Sequence, residues 1–145
     1  MPRDEATATL VVDAAPERVL EVLRDVERQP EWVPGVTSAE LLEEYEDGGP
    51  ATARIGLTTP VGADEFTLEF EPPDGPAVVW SLVEGKVQSA QDGSYTVRDL
   101  GDGRSEVTLS LAVEHNVAVP GFLRRKAFSG WVEGSLRGLQ RYLGG

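Results

Sequence analysis

At 145 residues, with 40% hydrophobic and 26% charged side chains, the chain reads as one ordinary globular domain over 1–145 rather than a disordered or two-domain chain. It has no cysteine, which excludes disulfides, thiolate metal sites and cysteine catalysis. A formal net charge of −12 gives a surface that repels phosphate backbones, so no nucleic-acid partner is expected.

The chain opens on Met1-Pro2-Arg3-Asp4-Glu5, polar and without the apolar core of a signal peptide, so a cytoplasmic address is expected. Ala6 to Val12 alternates: Ala6, Ala8, Leu10 and Val12 share one face, and Thr7, Thr9 and Val11 the other. This predicts a half-buried strand. Asp13-Ala14-Ala15-Pro16 stops it. Asp13 or a neighbour is placed to cap a helix, and proline suits a first turn because its missing N–H needs no partner there. Val19, Leu20, Val22, Leu23 and Val26 then recur at helical spacing. A second short helix is predicted over Glu27–Trp32, ended by Val33-Pro34-Gly35.

A long β region follows, cut by turn signals at Asp47-Gly48-Gly49-Pro50, Pro60-Val61-Gly62, Pro72-Pro73-Asp74-Gly75-Pro76, Glu84-Gly85-Lys86 and Gly101-Asp102-Gly103. The predicted strands are Val36–Tyr45, Ala51–Thr59, Asp64–Glu71, Ala77–Val83, Val87–Arg98 and Ser105–His115. Hairpin-length turns between them imply an antiparallel meander. Val119-Pro120-Gly121 opens a last helix of about 22 residues. Its apolar stripe runs through Phe122, Leu123, Ala127, Phe128, Trp131, Val132, Leu136, Leu139 and Leu143. No segment approaches the ~18 apolar residues of a membrane span, so stable membrane insertion is not expected.

The order β-α-α, six strands, then one long helix resembles the START-like (SRPBCC, or helix-grip) superfamily over essentially the whole chain. Three stretches carry the likeness: Leu10–Val19 with Asp13-Ala14-Pro16 leading into the first helix, Gln29-Pro30-Glu31-Trp32-Val33-Pro34-Gly35-Val36, and Gly93–Val97 with Gly103–Thr108 as paired late strands. The chain is most similar to small members described as polyketide cyclase/dehydrase-like or coenzyme Q-binding-like. The resemblance implies an α+β fold, a seven-stranded curved antiparallel sheet around the C-terminal helix. Between them it implies an apolar cavity for a lipid, quinone or polyketide.

Apolar pockets with few polar groups suit such ligands. The expected walls are Leu10, Val12, Trp32, Phe66, Leu68, Phe70, Trp80, Leu82, Tyr95, Val97, Leu109, Leu111, Ala127, Phe128, Trp131 and Ser135. The alternative is that these side chains meet and fill the core. On the last helix Gly130, Gly134 and Gly138 form a small stripe, for close packing on the sheet or room for ligand. Glycine costs ~0.8–1 kcal/mol per helix-interior position relative to alanine.

Arg124, Arg125 and Lys126, with Arg137 and Arg141 later, make this helix the one basic element of an acidic chain. It is either a solvated face or a contact for an anionic head group or protein partner. Catalytic candidates are few. His115 is the single histidine, and its sequence neighbours supply no nucleophile or metal-ligand spacing, so no metal and no cofactor are expected. Tyr95 and Arg54 remain, as cavity residues that position a substrate in the cyclases this chain resembles. Arg54 qualifies only if Ala53 and Ile55 do not themselves face the cavity. Three functions follow in order: binding of a hydrophobic small molecule, a cyclase/dehydratase using Tyr95, Arg54 or His115, and a protein-interaction module with a filled core.

Overall fold

A computed structural model describes residues 3–59, 62–116 and 118–144. The elements are β1 (Arg3–Val12), α1 (Pro16–Arg24), a 3-10 helix (Val26–Glu31), β2 (Val36–Glu44), β3 (Pro50–Thr59), β4 (Gly62–Phe70), β5 (Ala77–Gly85), β6 (Gln88–Gly101), β7 (Arg104–His115) and α2 (Gly121–Tyr142). The predicted order holds. Pro60 and Val61 of one predicted turn lie outside the described residues.

All seven strands form one antiparallel sheet in the order β1-β7-β6-β5-β4-β3-β2. Strands β2 to β7 are a meander, whereas β1 and β7 join the two ends of the chain in an unbroken register from Arg3↔Glu114 to Val12↔Ser105. The outer face of this pair is stitched by Thr7–Ser110 (3.1 Å) and Thr9–Thr108 (3.0 Å) hydroxyl pairs. Register shifts at Val36/Ser38, Leu41/Glu43, Thr67/Leu68 and Gln88/Ala90 interrupt the ladders. Such bulges bend strands and increase their twist, which suits a sheet that curves around a helix.

The first strand begins three residues earlier than its alternation suggested. Arg3, Asp4 and Glu5 continue the pattern, with Asp4 on the inward face of Ala6, Ala8, Leu10 and Val12. Helix α1 carries Pro16 in its first turn as expected, but no side chain caps it; its N-cap is Ala15. The Ser105 hydroxyl donates instead to the Ala14 carbonyl (2.7 Å), tying the helix start to β7. The second predicted helix is a 3-10 helix.

Helix α2 matches its predicted length of 22 residues, but its stripe does not behave as one surface. Val132, Leu136 and Leu139 are fully buried, whereas Phe122 and Leu123 are 67% and 47% exposed. The first turn of the helix therefore projects beyond the sheet.

The glycine stripe also divides. A Cβ on Gly138 would stand 2.0 Å from the Trp32 carbonyl oxygen, so here the helix meets backbone. On Gly134 the nearest atom would be Pro34 Cγ at 3.5 Å, an ordinary contact, and beside Gly130 there is open space. The close approach is thus to the Trp32–Pro34 segment rather than to the sheet. The Trp131 indole donates to the Pro34 carbonyl at 2.7 Å, on the same side.

Candidate functional site

Between the sheet and the first half of α2 lies a cavity of about 190 Å³. Its walls are largely apolar: Leu57, Phe66, Val87, Leu111 and Val113 from the strands, and Ala127, Phe128 and Trp131 from the helix. The spacing Arg124, Ala127, Phe128, Trp131 puts four side chains on one helical face. An inner lobe of about 50 Å³ shares Leu57, Phe66, Gln91, Leu111 and Trp131 with it and continues past Leu68, Phe70, Trp80, Tyr95 and Leu109. The lobe has an aromatic chain along it: Phe70–Trp80 (6.2 Å between ring centroids), Trp80–Tyr95 (5.5 Å) and Tyr95–Trp32 (6.2 Å). Trp80 is held by its indole N–H on Gln91 (2.7 Å), and Gln91 in turn donates to Gln88.

Charged groups gather at the outer end. Asp4 Oδ2 accepts from His115 Nε2 at 2.8 Å and from Arg124 Nε at 2.9 Å. These side chains are only 2%, 8% and 14% exposed. Burial pushes the Asp4 carboxyl up, but hydrogen bonds and charge from His115 and Arg124 outweigh it and hold the group below its ordinary value. Asp4 is therefore a carboxylate at neutral pH. Its second oxygen, Oδ1, is buried with no hydrogen-bond partner among the described residues. Asp64, also on the cavity lining, repeats the pattern: Oδ1 accepts the backbone N–H groups of Glu65 (2.8 Å) and Val87 (3.0 Å), and Oδ2 is buried with no partner among the described residues.

Of the predicted walls, Phe66, Leu111 and Trp131 line both parts of the cavity. Ala127 and Phe128 line the outer part, and Leu68, Phe70, Trp80, Tyr95 and Leu109 the inner lobe. Val12, Trp32 and Val97 are buried in the packed core instead, and Leu10 and Leu82 pack against that core. Ser135 is fully buried with its hydroxyl returned to the Trp131 carbonyl (2.9 Å), leaving nothing to offer a ligand.

The catalytic candidates separate sharply. Arg54 is on the outer face, 49% exposed and 3.8 Å from Glu40, because Ala53 and Ile55 on either side of it are the buried residues. It cannot touch the cavity. Tyr95 lines the inner lobe, and burial pushes its phenol up, so the hydroxyl keeps its proton. His115 lines the outer part, and one of its partners is Asp4, 111 residues away in sequence. Of the expected basic face, Arg124 turns inward to Asp4, while Arg125 and Lys126 are exposed.

Asp4, Leu57, Asp64, Val87, Val113 and the Gln88–Gln91 pair line the cavity and are not among the residues the sequence pointed to. The signal for Asp4 was its parity: it stands two residues before Ala6 on the same face, and His115 stands two after Val113.

Residues 3–144 match the model of a family described as polyketide cyclase / dehydrase and lipid transport. Among solved structures, a START superfamily protein from Mycobacterium smegmatis superposes with a TM-score of 0.87 at 22% identity, covering 96% of each chain. The Zhui aromatase/cyclase from a Streptomyces species gives 0.80 at 16% identity, over 98% of this chain and 94% of the other. A Thermus thermophilus protein gives 0.81 at 23% identity over 96% of each. At these identities the structures establish the shared helix-grip fold. No curated protein matches the chain.

Proposed function

Because the chain belongs to the polyketide cyclase/dehydrase and lipid-transport family of START-like proteins, we propose that it binds a hydrophobic or amphipathic small molecule beneath α2. One observation carries this reading: the cavity of about 190 Å³ is walled mainly by apolar side chains, with the hydrogen-bonded Asp4–His115–Arg124 group among them. That is the layout of a site taking a molecule with an apolar body and a polar end. A dry apolar cavity of about 150 Å³ is enough to hold benzene. The outer part therefore suits a body of one or two rings, or a short alkyl chain. A longer molecule uses the inner lobe or displaces the first turns of α2.

The test is native mass spectrometry of the protein from its own host, followed by extraction of bound material. Stoichiometric small molecule supports the reading. An empty protein that also takes up nothing from a panel of lipids, quinones and polyketide-like compounds overturns it in favour of a protein-interaction role through Arg125 and Lys126.

A second reading, cyclase/dehydratase chemistry, has its own observation. His115 lines the cavity with Asp4 bound to one ring nitrogen, the arrangement of an oriented acid–base group. It predicts product formation that His115→Gln abolishes while binding survives. Binding without turnover in the unmodified protein removes it.

A further inference from the structure

The outer part of the cavity and the inner lobe share five of the described residues, and four of these are apolar: Leu57, Phe66, Leu111 and Trp131. The fifth is Gln91, 8% exposed. A buried amide needs partners for its oxygen and its NH2 group, and Gln91 finds both inside the protein. Its Oε1 accepts from the Trp80 indole at 2.7 Å, and its Nε2 donates to Gln88 Oε1. Gln88 lines the outer part and Trp80 the inner lobe, so the chain Gln88–Gln91–Trp80 runs from one space into the other.

Trp80 is fixed at the far end of that chain. Gly93 stands directly across the β5–β6 register from it, and a Cβ at 93 would lie 2.2 Å from the indole. The ring thus takes the place of a side chain at 93, with the Phe70 and Tyr95 ring centroids 6.2 and 5.5 Å away. A ring packed on backbone and between two aromatics turns only by displacing them.

Resting on the cavity reading above, we infer that Gln91 limits the length of the ligand: held between Gln88 and Trp80, it closes the passage from the outer part to the inner lobe. The protein thereby selects compact bodies over extended ones of the same chemistry. Gln91 meets the ligand as a wall and not through a hydrogen bond, because both ends of its amide are already engaged. A longer molecule reaches the lobe only if Gln91 leaves Trp80, which strands the indole N–H and the amide oxygen without partners.

Equilibrium dialysis with straight-chain 1-alkanols from hexanol to dodecanol tests this. Each further methylene that is buried tightens binding about fourfold. In the unmodified protein that rise should stop part-way along the series, where the chain end meets Gln91. In Gln91→Ala the rise should continue to longer chains, giving about tenfold or more tighter binding of dodecanol than in the unmodified protein. Trp80→Phe keeps a ring but removes the N–H that holds Gln91, and should move the stop the same way. The stop is read from ratios between homologues within one preparation, so a partly unfolded variant does not shift it. A stop at the same carbon in all three proteins, or an unbroken rise in the unmodified one, overturns the role of Gln91 and leaves the cavity reading standing. Uptake of no alkanol overturns both.

Discussion

The two halves of α2 have similar apolar content and opposite surroundings. Val132, Ser135, Leu136, Gly138 and Leu139 in the second half are buried against β1 and the Trp32 segment. In the first half, Phe122 and Leu123 stand in solvent, and Ala127, Phe128 and Trp131 form the roof of a cavity. The difference is one of partners. A stripe of Leu, Phe and Trp becomes core only where the curved sheet rises to meet it; where the sheet falls away the same stripe encloses space. One helix thereby anchors the fold at one end and presents a binding wall at the other.

The sharpest way to break that contrast is a pair of truncations. Leu139→Ala, at a fully buried site, should cost about 2–5 kcal/mol by chemical denaturation, from lost transfer energy plus an unfilled hole. Phe128→Ala on the half-buried roof should cost about 1–2 kcal/mol, because only part of the ~1.5–3 kcal/mol for burying a phenylalanine is at stake. Equal losses would mean that the roof is core after all.

Asp4→Asn comes next, at about 1.5–3 kcal/mol near neutral pH, since Arg124 and His115 lose a charged acceptor. Its pH dependence has a fixed sign. A carboxyl held below its ordinary value of 3.8 binds fewer protons folded than unfolded. Its contribution is therefore complete above that value and disappears as pH falls through the folded value. The wild-type advantage over the variant in denaturation midpoint should be larger at pH 7 than at pH 3. An advantage that grows in acid contradicts the charge assignment.

The glycines sharpen the comparison because the two halves should respond with opposite signs. Gly138→Ala forces a methyl into the Trp32 carbonyl and should destabilise by about 1–3 kcal/mol. Gly130→Ala meets open space and should stabilise by up to about 1 kcal/mol through helix propensity. If both variants gain stability, the close approach at Trp32 is not a constraint. The smallest effect is reserved for Arg54→Ala, an exposed pair on the outer face. Stability should change by less than about 0.5 kcal/mol, with ligand uptake unchanged in dialysis. A marked loss of uptake would place Arg54 in the site.

Much of this architecture was legible along the chain. Period-two alternation in Phe66–Phe70 and Val107–Val113 gave strands and their inward faces, and Val119-Pro120-Gly121 with the apolar stripe gave α2 within its observed bounds. The pattern also supplied the condition on which Arg54 turned, whether Ala53 and Ile55 face inward, and the structure met it by burying both. What alternation records is which face a side chain takes, not what stands across from it.

That distinction separates the two sources of information about this protein. The sequence by itself determined the elements, their order and the antiparallel meander, because those follow from local periodicity and turn chemistry, while the curvature around α2 was what the family resemblance implied. Tertiary structure alone decided that Asp4 meets His115 and Arg124, which are 111 and 120 residues away, and that Gly138 rather than Gly130 is pressed against backbone. It also decided that half of an apolar helix roofs a cavity. Each of these depends on β1 pairing with β7 across the length of the chain and on how far the sheet curves, and neither leaves a mark on neighbouring residues.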